Sequence, residues 1–427
     1  MKIFFDVIGC RLNQSEVESF ANTFRALGHQ IISDPAEADL AIVNTCAVTV
    51  KAAADSRKQL RRAGREGAKK VIATGCWATL HPETALDMAG VSAVVINEEK
   101  ELLVSSLLNL SPEALSNLNL VREPLPGNRA RTRAFIKVQE GCDNFCTYCL
   151  TRIARGKSRS RTVPEIERDI TAALAGDAKE VVLTGVQLGA WGRDLPKPLG
   201  LGSLLESVLA MGDIRRLRLS SIEPWDFEPL MLSLWEDERL CRHLHIPLQA
   251  GSDRILSAMG RPITRRDYAG LIDTIREQVP DIAITTDMIA GFPGETEAAF
   301  EETKTFIRTT GFAGGHVFTY SPRPGTAAIN MKSRVPVQTA KARNATLREV
   351  FQETGNAYRE RFIGRRMSVL WESGNQLEDG LWHLSGLTDT YIRVYATAKI
   401  NLWNQITLVD LRDHHPRRNA LIGEVVD

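Results

Sequence analysis

Cysteine is scarce in this sequence, with seven among 427 residues, and no apolar run reaches the length of about 18 residues that a membrane-spanning helix requires. The amino-terminal run "KIFFDVIG" lacks the small-residue cleavage site of a signal peptide. We therefore expect a cytoplasmic protein with no membrane partner. Stable disulfides are rare in that compartment, so a disulfide scaffold is excluded and the cysteines are available for other chemistry.

Net charge is also low, at +1, and it excludes few partners. The distribution is more informative, because residues 129–161 hold nine Lys/Arg against two acidic residues and residues 332–366 hold nine against three. Either segment is typical of a solvated surface. Two such segments on either side of a candidate catalytic region also favour a phosphate-rich partner.

Length and patterning predict an α/β protein in several parts, since 427 residues are too many for one core. In residues 1–120, short β-rich runs alternate with helical stretches, which predicts a parallel-sheet domain. Residues 121–133, with two prolines and a glycine, predict a linker. Residues 134–363 contain six strand-like runs and then a basic helical connector, which predicts a six-stranded partial (β/α) barrel. Short strands with polar turns in residues 364–427 predict a small antiparallel β-barrel.

Three of the cysteines follow predicted strands of the first domain. Cys10 comes after "KIFFDVIG", Cys46 after "DLAIVNT" and Cys76 after "KKVIATG". Because ligands bind outside the carboxyl ends of parallel strands, these thiols should meet at one edge of the sheet. Three separately buried cysteines remain the alternative. Three thiolates without a fourth protein ligand suit an iron–sulfur cluster with one open iron better than a closed zinc site.

A second group of three, Cys142, Cys146 and Cys149, lies in "EGCDNFCTYCL". The group follows the first predicted barrel strand, on the face where barrel enzymes place their chemistry. The C-x3-C-x2-C spacing lets one short loop surround three corners of a cubane, whereas zinc would need a fourth ligand and the next histidine downstream is His243. The seventh cysteine, Cys241, fits neither group and is interpreted as a structural thiol.

The second group, with Tyr148 in the aromatic position before the last cysteine, resembles the signature of the radical S-adenosylmethionine (SAM) enzymes. The chain as a whole resembles the methylthiotransferases of that superfamily, in "GCRLNQSE", "VNTCAV", "ATGC", "GCDNFCTYC", "ARGKSRSR", "HIPLQAGSD" and "AGFPGETE". The resemblance implies a 4Fe–4S cluster on each cysteine group, SAM as cosubstrate and a TRAM-like RNA-binding tail. The chain departs from the family pattern in two places. The loop after Cys149 lacks a proline, and the tail holds seven Lys/Arg against eight acidic residues, so it is not a basic patch.

Several further residues are predicted to contact SAM. Tyr148 should pack near the adenine, and Gly185, next to Thr184 at the end of the second barrel strand, lets the backbone approach the methionine part. Glu223 and Gln249 end the third and fourth strands, and Gly291 ends the fifth, where it can lie against adenine or ribose. Turns that need glycine and proline for shape alone are the alternative interpretation.

The substrate and the reaction are predicted from the resemblance, and the residues that contact tRNA are predicted from their charge. The branch that the chain most resembles acts on N6-threonylcarbamoyladenosine beside the anticodon of tRNA, which the resemblance implies as the substrate. One SAM would methylate a sulfur on the first cluster; another would be cleaved at the barrel cluster, and its radical would take hydrogen from C2 of the base. An electron donor such as flavodoxin or ferredoxin is implied. Arg155, Arg159 and Arg161 are predicted to bind tRNA phosphates, and Arg323 is predicted to bind the carboxylate of the substrate. The alternative for each of them is an ordinary surface arginine.

Other functions stay open at this point. The branch that acts on isopentenyl-adenosine in tRNA and the branch that modifies a ribosomal protein share the same motifs. A non-catalytic iron–sulfur protein that binds RNA is the alternative from a different class. It would not cleave SAM, whereas an enzyme of this family would produce 5′-deoxyadenosine.

Overall fold

The amino-terminal residues form an open parallel sheet with helices on both faces. A computed structural model of the chain describes residues 1–116, 118–126 and 132–426. In it the sheet order is β2-β1-β3-β4-β5. The strands are β1 Lys2–Val7, β2 Gln30–Ile32, β3 Leu40–Thr45, β4 Val71–Gly75 and β5 Val91–Val95, and the helices are α1 Arg11–Ala26, α2 Val50–Arg65, α3 Cys76–Leu80, α4 Pro82–Leu86, α5 Leu103–Leu108 and α6 Pro112–Ser116.

Hydrophobic spacing explains this arrangement. Strand β3 is buried along its whole length, as expected for the centre of a parallel sheet covered on both faces. Helix α1 places Val17, Phe20 and Phe24 on one buried stripe, spaced three and four residues apart. Helix α2 begins at the cap Thr49, whose side chain accepts a hydrogen bond from Ala52 N.

The central part is the six-stranded partial barrel that the sequence predicts. Strands β6, β9 and β10 form one parallel sheet and β11, β12 and β13 form another. Two isolated bridges, Leu217 to Leu240 and Ser221 to His245, join the sheets across the seam. The six strands are β6 Arg133–Lys137, β9 Glu180–Thr184, β10 Leu217–Leu219, β11 His243–His245, β12 Ala283–Ala290 and β13 Gly314–Thr319. Two further strands of two residues each, β7 Gln139–Glu140 and β8 Arg159–Ser160, pair with each other in antiparallel fashion.

Helices cover the outside of the partial barrel and connect its strands. They are α7 Thr151–Arg155, α8 Val163–Ala175, α9 Leu201–Leu209, α10 Asp253–Ala258, α11 Arg265–Gln278 and α12 Glu297–Thr310, followed by the connector α13 Val337–Glu360. Helix α8 starts with a capping box made by Thr162 and Glu165. None of the helices in the described part of the chain combines the length and the apolar character that crossing a membrane would require.

The tail closes into a five-stranded barrel of order β14-β15-β16-β18-β17. Four strands match the sequence prediction: β14 Arg366–Gln376, β15 Trp382–Thr388, β16 Arg393–Ala398 and β17 Ile406–His414. The fifth, β18 Leu421–Val425, was not predicted, because only Leu421 and Gly423 of it are buried and no apolar run marks it. One of its pairings, to β16, is parallel, so the barrel is not antiparallel throughout.

The predicted linker is partly described, and its residues 127–131 lie outside the described ranges. Arg122 is 3% exposed, and its Nε donates to Glu18 Oε2 of α1 at 2.8 Å. Its backbone N–H donates to Ala172 O of α8 at 2.9 Å. The start of this segment is therefore packed between the first domain and the partial barrel.

The tail is held to the partial barrel by a buried ion pair. Arg218 of β10 and Glu180 of β9 both have side chains that are 0% exposed, with Nε and Oε1 2.7 Å apart. Arg218 also donates to the carbonyl oxygens of Thr388 and Asp389 in the tail, at 3.0 Å each. Burial alone would raise the pKa of Glu180, but the Arg218 guanidinium outweighs it and lowers that pKa to about 2.

Replacing Arg218 should therefore destabilise the protein strongly. Arg218→Met leaves the Glu180 charge buried without its main partner, which costs about 3–5 kcal/mol. Arg366→Met, which removes an exposed pair with Asp410, should cost under about 1 kcal/mol. Urea denaturation of both variants measures the difference, and equal midpoints would contradict the role given to the buried pair.

Candidate functional site

All six cysteines of the two groups line one cavity. The cavity has a volume of 780 Å³ and lies between the first domain and the mouth of the partial barrel. Its walls include the ends of β9 and β10, the loop after β7 and the edge of the first sheet. All seven cysteines, each within the described ranges, are free thiols, and the buried Cys241 is the one that does not line this cavity.

The first group meets at the sheet edge, as the strand-end positions predict. Cys46 directly follows β3, Cys76 begins α3 directly after β4, and Cys10 caps α1. Gly9 has φ +109°, and a Cβ on it would lie 2.6 Å from Cys46 Sγ, so only glycine lets these two loops approach. Burial and the neighbouring thiols raise the pKa of Cys46 to about 11. A metal centre must therefore displace protons when it binds here.

Arg155 connects the two groups. It ends α7, shortly after Cys149 in the chain, yet its Nε donates to Cys76 Sγ of the first domain at 3.2 Å. The side chain is 2% exposed and is held by Glu16 Oε1 at 2.9 Å and Glu140 Oε1 at 2.6 Å. Burial alone would lower the pKa of Arg155, but these carboxylates and the thiols raise it well above its ordinary value. A fixed positive charge therefore lies against the first cysteine group.

Backbone N–H groups point at the second group of thiols. Asn144 N donates to Cys142 Sγ and Thr151 N donates to Cys149 Sγ, each at 3.4 Å. Burial raises the pKa of Cys142 to about 12. The buried Arg261 guanidinium lies 3.9 Å from Cys146 Sγ. The N–H donors and the cation offset part of the effect of burial, which still leaves the pKa of Cys142 and of Cys146 raised, so a metal centre must displace protons here as well.

The donor sets fit iron–sulfur clusters better than zinc. Thiolates on one zinc ion lie about 3.8 Å apart, since each Zn–S bond is about 2.3 Å. Among the described residues, His245, Asp287 and His316 form the group of three possible metal ligands whose donor atoms all lie within 4.8 Å of one another. The thiols of each cysteine group are therefore farther apart than this, and too far apart for one zinc ion. A 4Fe–4S core is larger and takes cysteine thiolates at its corners. Each group supplies three, which leaves one iron open.

Five of the six residues predicted to bind SAM line the same cavity: Tyr148, Thr184, Gly185, Glu223 and Gln249. Glu223 Oε2 accepts a hydrogen bond from Arg261 Nη2 at 2.7 Å. Gly291 is placed elsewhere, because a Cβ on it would lie 2.3 Å from Ala340 Cβ of α13. Its N–H donates to Glu295 Oε2 at 2.8 Å. In the structure this glycine serves the turn and the contact with the connector helix.

The predicted arginines separate into different roles. Arg155 is buried and internally bound, which corrects its prediction as a phosphate grip. Arg161 is held by Asp169 Oδ2 at 2.7 Å, so its charge is already balanced. Arg159 is exposed. Arg323 lines an extension of the cavity, of 220 Å³, together with Tyr148 and other residues of its wall.

Arg323 differs from Arg155 and Arg161 in having buried side-chain nitrogens without partners. Its Nε and Nη2 are buried and have no hydrogen-bond partner among the described residues. Burial lowers its pKa, because the charged form is poorly solvated there. Buried N–H groups of a cation are costly when they lack an acceptor, so this position is suited to an anionic ligand group.

The cavity also contains three polar residues in mutual contact, His245, Asp287 and His316, which the sequence did not predict as a site. His245 Nε2 lies 3.3 Å from Asp287 Oδ2, and His316 Nδ1 lies 3.2 Å from Asp287 Oδ1. Burial alone would raise the pKa of Asp287, but the two imidazoles hold it well below its usual range. The available signal was Asp287 itself, a charged residue inside the apolar strand run "AITTDMIA".

The tail also reaches the cavity, which was not expected. Tyr391, with φ +63°, lines it and stacks on His243 with ring centroids 3.9 Å apart. Its hydroxyl accepts a hydrogen bond from Arg11 Nη2 at 2.8 Å, next to Cys10 in the chain. Burial would raise the pKa of Tyr391, but the Arg11, Arg133 and Arg218 charges outweigh it and lower that pKa.

Comparisons with known proteins agree with this geometry. Residues 2–97 match the uncharacterized protein family UPF0004, and residues 136–307 match the radical SAM superfamily. Threonylcarbamoyladenosine tRNA methylthiotransferase MtaB of Thermotoga maritima is 36% identical over 401 residues, which are 91% of this chain and 89% of that protein. The MtaB protein of Bacillus subtilis is 32% identical, over 100% of this chain and 97% of that one.

A relative with a different name matches nearly as well, and a solved structure shares the fold. The tRNA-2-methylthio-N(6)-dimethylallyladenosine synthase of Geobacillus kaustophilus is 31% identical over 100% of this chain and 82% of its own length. The radical SAM methyltransferase TsrM from Kitasatospora setae, solved with cobalamin and a 4Fe–4S cluster, superposes with a TM-score of 0.57 at 14% identity and covers 77% of each chain.

Iron content tests the division of the cysteines. After anaerobic reconstitution, the wild type should hold about eight irons per chain, as two cubanes do. Changing Cys142, Cys146 and Cys149 together to alanine should remove half. Cys241→Ala, the matched control outside the cavity, should keep all of the iron. Iron and sulfide analysis decides, and complete loss in the triple variant would contradict the three-and-three division.

Arg155 should stabilise the first cluster. Arg155→Met removes the hydrogen bond to Cys76 Sγ and the charge that favours thiolates there. We expect iron to fall towards half while the electron paramagnetic resonance signal of the barrel cluster persists. Arg159→Met, an exposed neighbour, should retain both clusters. Full iron content in a folded Arg155→Met variant would contradict this assignment.

Proposed function

The chain belongs to the MtaB type of the radical SAM methylthiotransferases, and we propose that it converts N6-threonylcarbamoyladenosine beside the anticodon of tRNA into its 2-methylthio derivative. The observation that supports this best is the shared cavity, in which both groups of three cysteines face one space of 780 Å³. A methylthiotransferase needs its sulfur source and its radical source at the same substrate atom. Similarity to the MtaB relatives over nearly the whole chain supports the choice of substrate.

The cofactors of this chemistry are two 4Fe–4S clusters and SAM. Cys10, Cys46 and Cys76 would hold one cluster, and Cys142, Cys146 and Cys149 the other. When bound, the second cluster supplies the electron that cleaves SAM into methionine and the radical that acts on C2 of the base.

The chain's own residues prepare the site for that chemistry. Tyr148 and Phe292 pack edge to face, with centroids 6.4 Å apart, and form an apolar wall that excludes water. Glu223, held by Arg261, presents a carboxylate suited to the amino group of SAM. Gly185 adds no side chain beside Gln139, so the backbone at the end of β9 stays accessible to a ligand.

The substrate base must enter this cavity from the anticodon loop. Enzymes that act on a base take it out of its stack, so we infer that the adenine is turned into the barrel mouth. The His245–Asp287–His316 triad faces the same space and offers donors and an acceptor to the amide and hydroxyl groups of a threonylcarbamoyl substituent. An isopentenyl group offers no hydrogen-bonding atoms to match them.

Arg323 is proposed to read the substrate carboxylate. The threonylcarbamoyl group carries a carboxylate, and the two buried Arg323 nitrogens without partners are suited to bind it. An apolar isopentenyl substituent would leave the cation unmatched. A site of this kind discriminates strongly, because the wrong substrate leaves a buried charged group unpaired.

Competition between two tRNA substrates tests the proposed function. Anaerobically reconstituted wild type, given dithionite and SAM, should methylthiolate tRNA bearing threonylcarbamoyl-adenosine in preference to tRNA bearing isopentenyl-adenosine. Mass spectrometry of the nucleosides measures both products. Preference for the isopentenyl substrate would place the chain with the dimethylallyladenosine synthases instead.

A variant of Arg323 tests the carboxylate reader separately. Arg323→Gln should lower kcat/KM for the threonylcarbamoyl substrate by about 10- to 100-fold, the loss expected for one charge-assisted contact. Arg334→Gln, an exposed arginine of the same segment, should behave as the wild type. If Arg323→Gln also behaves as the wild type, the carboxylate is read elsewhere.

A further inference from the structure

A second cavity lies where the partial barrel, the connector helix α13 and the tail meet. It has a volume of 330 Å³, and it shares His316 and Tyr391 with the wall of the active cavity, so we call it the side branch. Arg359 of α13 and Arg393 and Asn419 of the tail also line it. Among the described residues that form its wall there is no Asp or Glu.

Arg359 is a buried cation with few partners. It is 8% exposed, although it belongs to the last turn of α13. Its Nη2 donates to Asn356 Oδ1 at 2.6 Å. Its Nε is buried and has no hydrogen-bond partner among the described residues, and burial alone lowers its pKa, without an offset from any carboxylate. A buried charge without a counter-charge is costly, so an anion that enters the side branch would be bound favourably.

Helix α13 leaves room around this guanidinium. Gly355 lies one turn before Arg359, and a Cβ on it would be 3.3 Å from Arg359 Nη1 and 3.1 Å from Ala313 O. Glycine is unfavourable inside a helix, because it gains no packing and loses more backbone freedom than other residues. At this position it lets the helix approach the start of β13 and keeps the space beside Arg359 open.

The charges around the side branch leave Arg359 unmatched. The acidic residues that adjoin its lining residues are already paired: Glu372 with Arg393 and Arg133, Asp389 with Arg242, Asp281 with Arg361 and Arg365, Asp287 with His245 and His316, and Glu360 with His414. None of them is the partner of Arg359 in the described part of the chain.

The turn that borders the side branch adds free positive charge. Asn419 is exposed and directly follows Arg417 and Arg418, which are exposed too and form no ion pair with the described residues. Cations are thus present both inside the side branch and beside its tail wall. This distribution is suited to a chain of negative charges, such as a nucleic-acid backbone, more than to one small anion.

The position of the side branch selects one part of that backbone. A base that is turned out of its stack into the active cavity brings its own sugar and flanking phosphates to the mouth of that cavity. The side branch adjoins the mouth through His316 and Tyr391. A phosphodiester offers two oxygens, which match the planar fork of an arginine.

We propose that Arg359 binds a backbone phosphate of the substrate RNA, next to the nucleotide whose base enters the active cavity. This proposal rests on the proposed function, because it assumes an RNA substrate. The contact positions the RNA and does not read its sequence. The carboxylate of the threonylcarbamoyl group is the rival anion, and the experiment below separates the two.

Binding of an anticodon stem-loop tests the contact without turnover. The probe bears threonylcarbamoyl-adenosine, and fluorescence anisotropy measures its affinity for the anaerobically reconstituted full chain in the absence of a reductant. In Arg359→Gln, Kd should rise about 10- to 100-fold, as expected for one charged contact, and the slope of log affinity against log salt should fall by about 0.7–0.9. Arg361→Gln removes the same charge from an exposed pair with Asp281 and should change Kd by less than about twofold.

Two further measurements identify the anion. When each loop phosphate in turn is replaced by a neutral methylphosphonate, the wild type should lose affinity at one linkage, and Arg359→Gln should lose nothing more there. A stem-loop with unmodified adenosine should show the same loss in Arg359→Gln. The midpoint of urea denaturation of Arg359→Gln should equal or exceed that of the wild type, because an unmatched buried charge has been removed.

The outcomes are distinct. Wild-type affinity and salt slope in Arg359→Gln would overturn the proposal. A loss confined to the threonylcarbamoyl probe would also overturn it and make Arg359 a reader of the carboxylate. A lower urea midpoint without a loss specific to one linkage would show a structural arginine instead. If the wild type binds no stem-loop at all, the proposed function fails and this inference with it, whereas absence of the Arg359 effect alone leaves the proposed function intact.

Discussion

A single buried guanidinium, that of Arg155, joins the two halves of the active site. It binds Cys76, Glu16 and Asn13 of the first domain and Glu140 of the partial barrel. Burying a charge is expensive unless every donor is matched, and here carboxylates, an amide oxygen and a thiol supply the partners. Because Arg155 ends the short helix after Cys149, its position fixes the spacing between the two cysteine groups. One cavity can therefore serve two clusters.

The parts of this site that the sequence predicts are those whose signal is local. Strands followed by Cys10, Cys46 and Cys76 must bring thiols to one sheet edge, since parallel strands share their direction. The close spacing of the second group needs no knowledge of the rest of the fold. The six barrel strands were recognisable as apolar runs, whereas β18 was not, because it buries only alternate small and apolar residues beside its neighbours.

The parts that the sequence does not predict depend on partners far away in the chain. Arg155, Arg159 and Arg161 form one basic run, yet the first is buried by Glu16, 139 residues away, and the third is held by Asp169. Whether an arginine is buried depends on where its acceptors lie in space, and a run of charged residues in the sequence does not show the positions of those acceptors. The contact of Gly291 with α13 is of the same kind, as it arises only when the connector helix packs back on the barrel.

Contacts between distant residues also decide the role of the tail. Many of its cations are paired with its own acidic residues, among them Arg366 with Asp410, Arg393 with Glu372 and Arg412 with Glu424. Lys399, Arg417 and Arg418 are exposed and have no ion pair among the described residues, so the positive charge that is free to attract phosphates is confined to these three. The same tail is fixed to the barrel by Arg218, and it places the Tyr391 ring on His243 and its hydroxyl on Arg11, beside Cys10. The tail is thus a wall of the active cavity, and its position is coupled to the first cluster through one hydrogen bond.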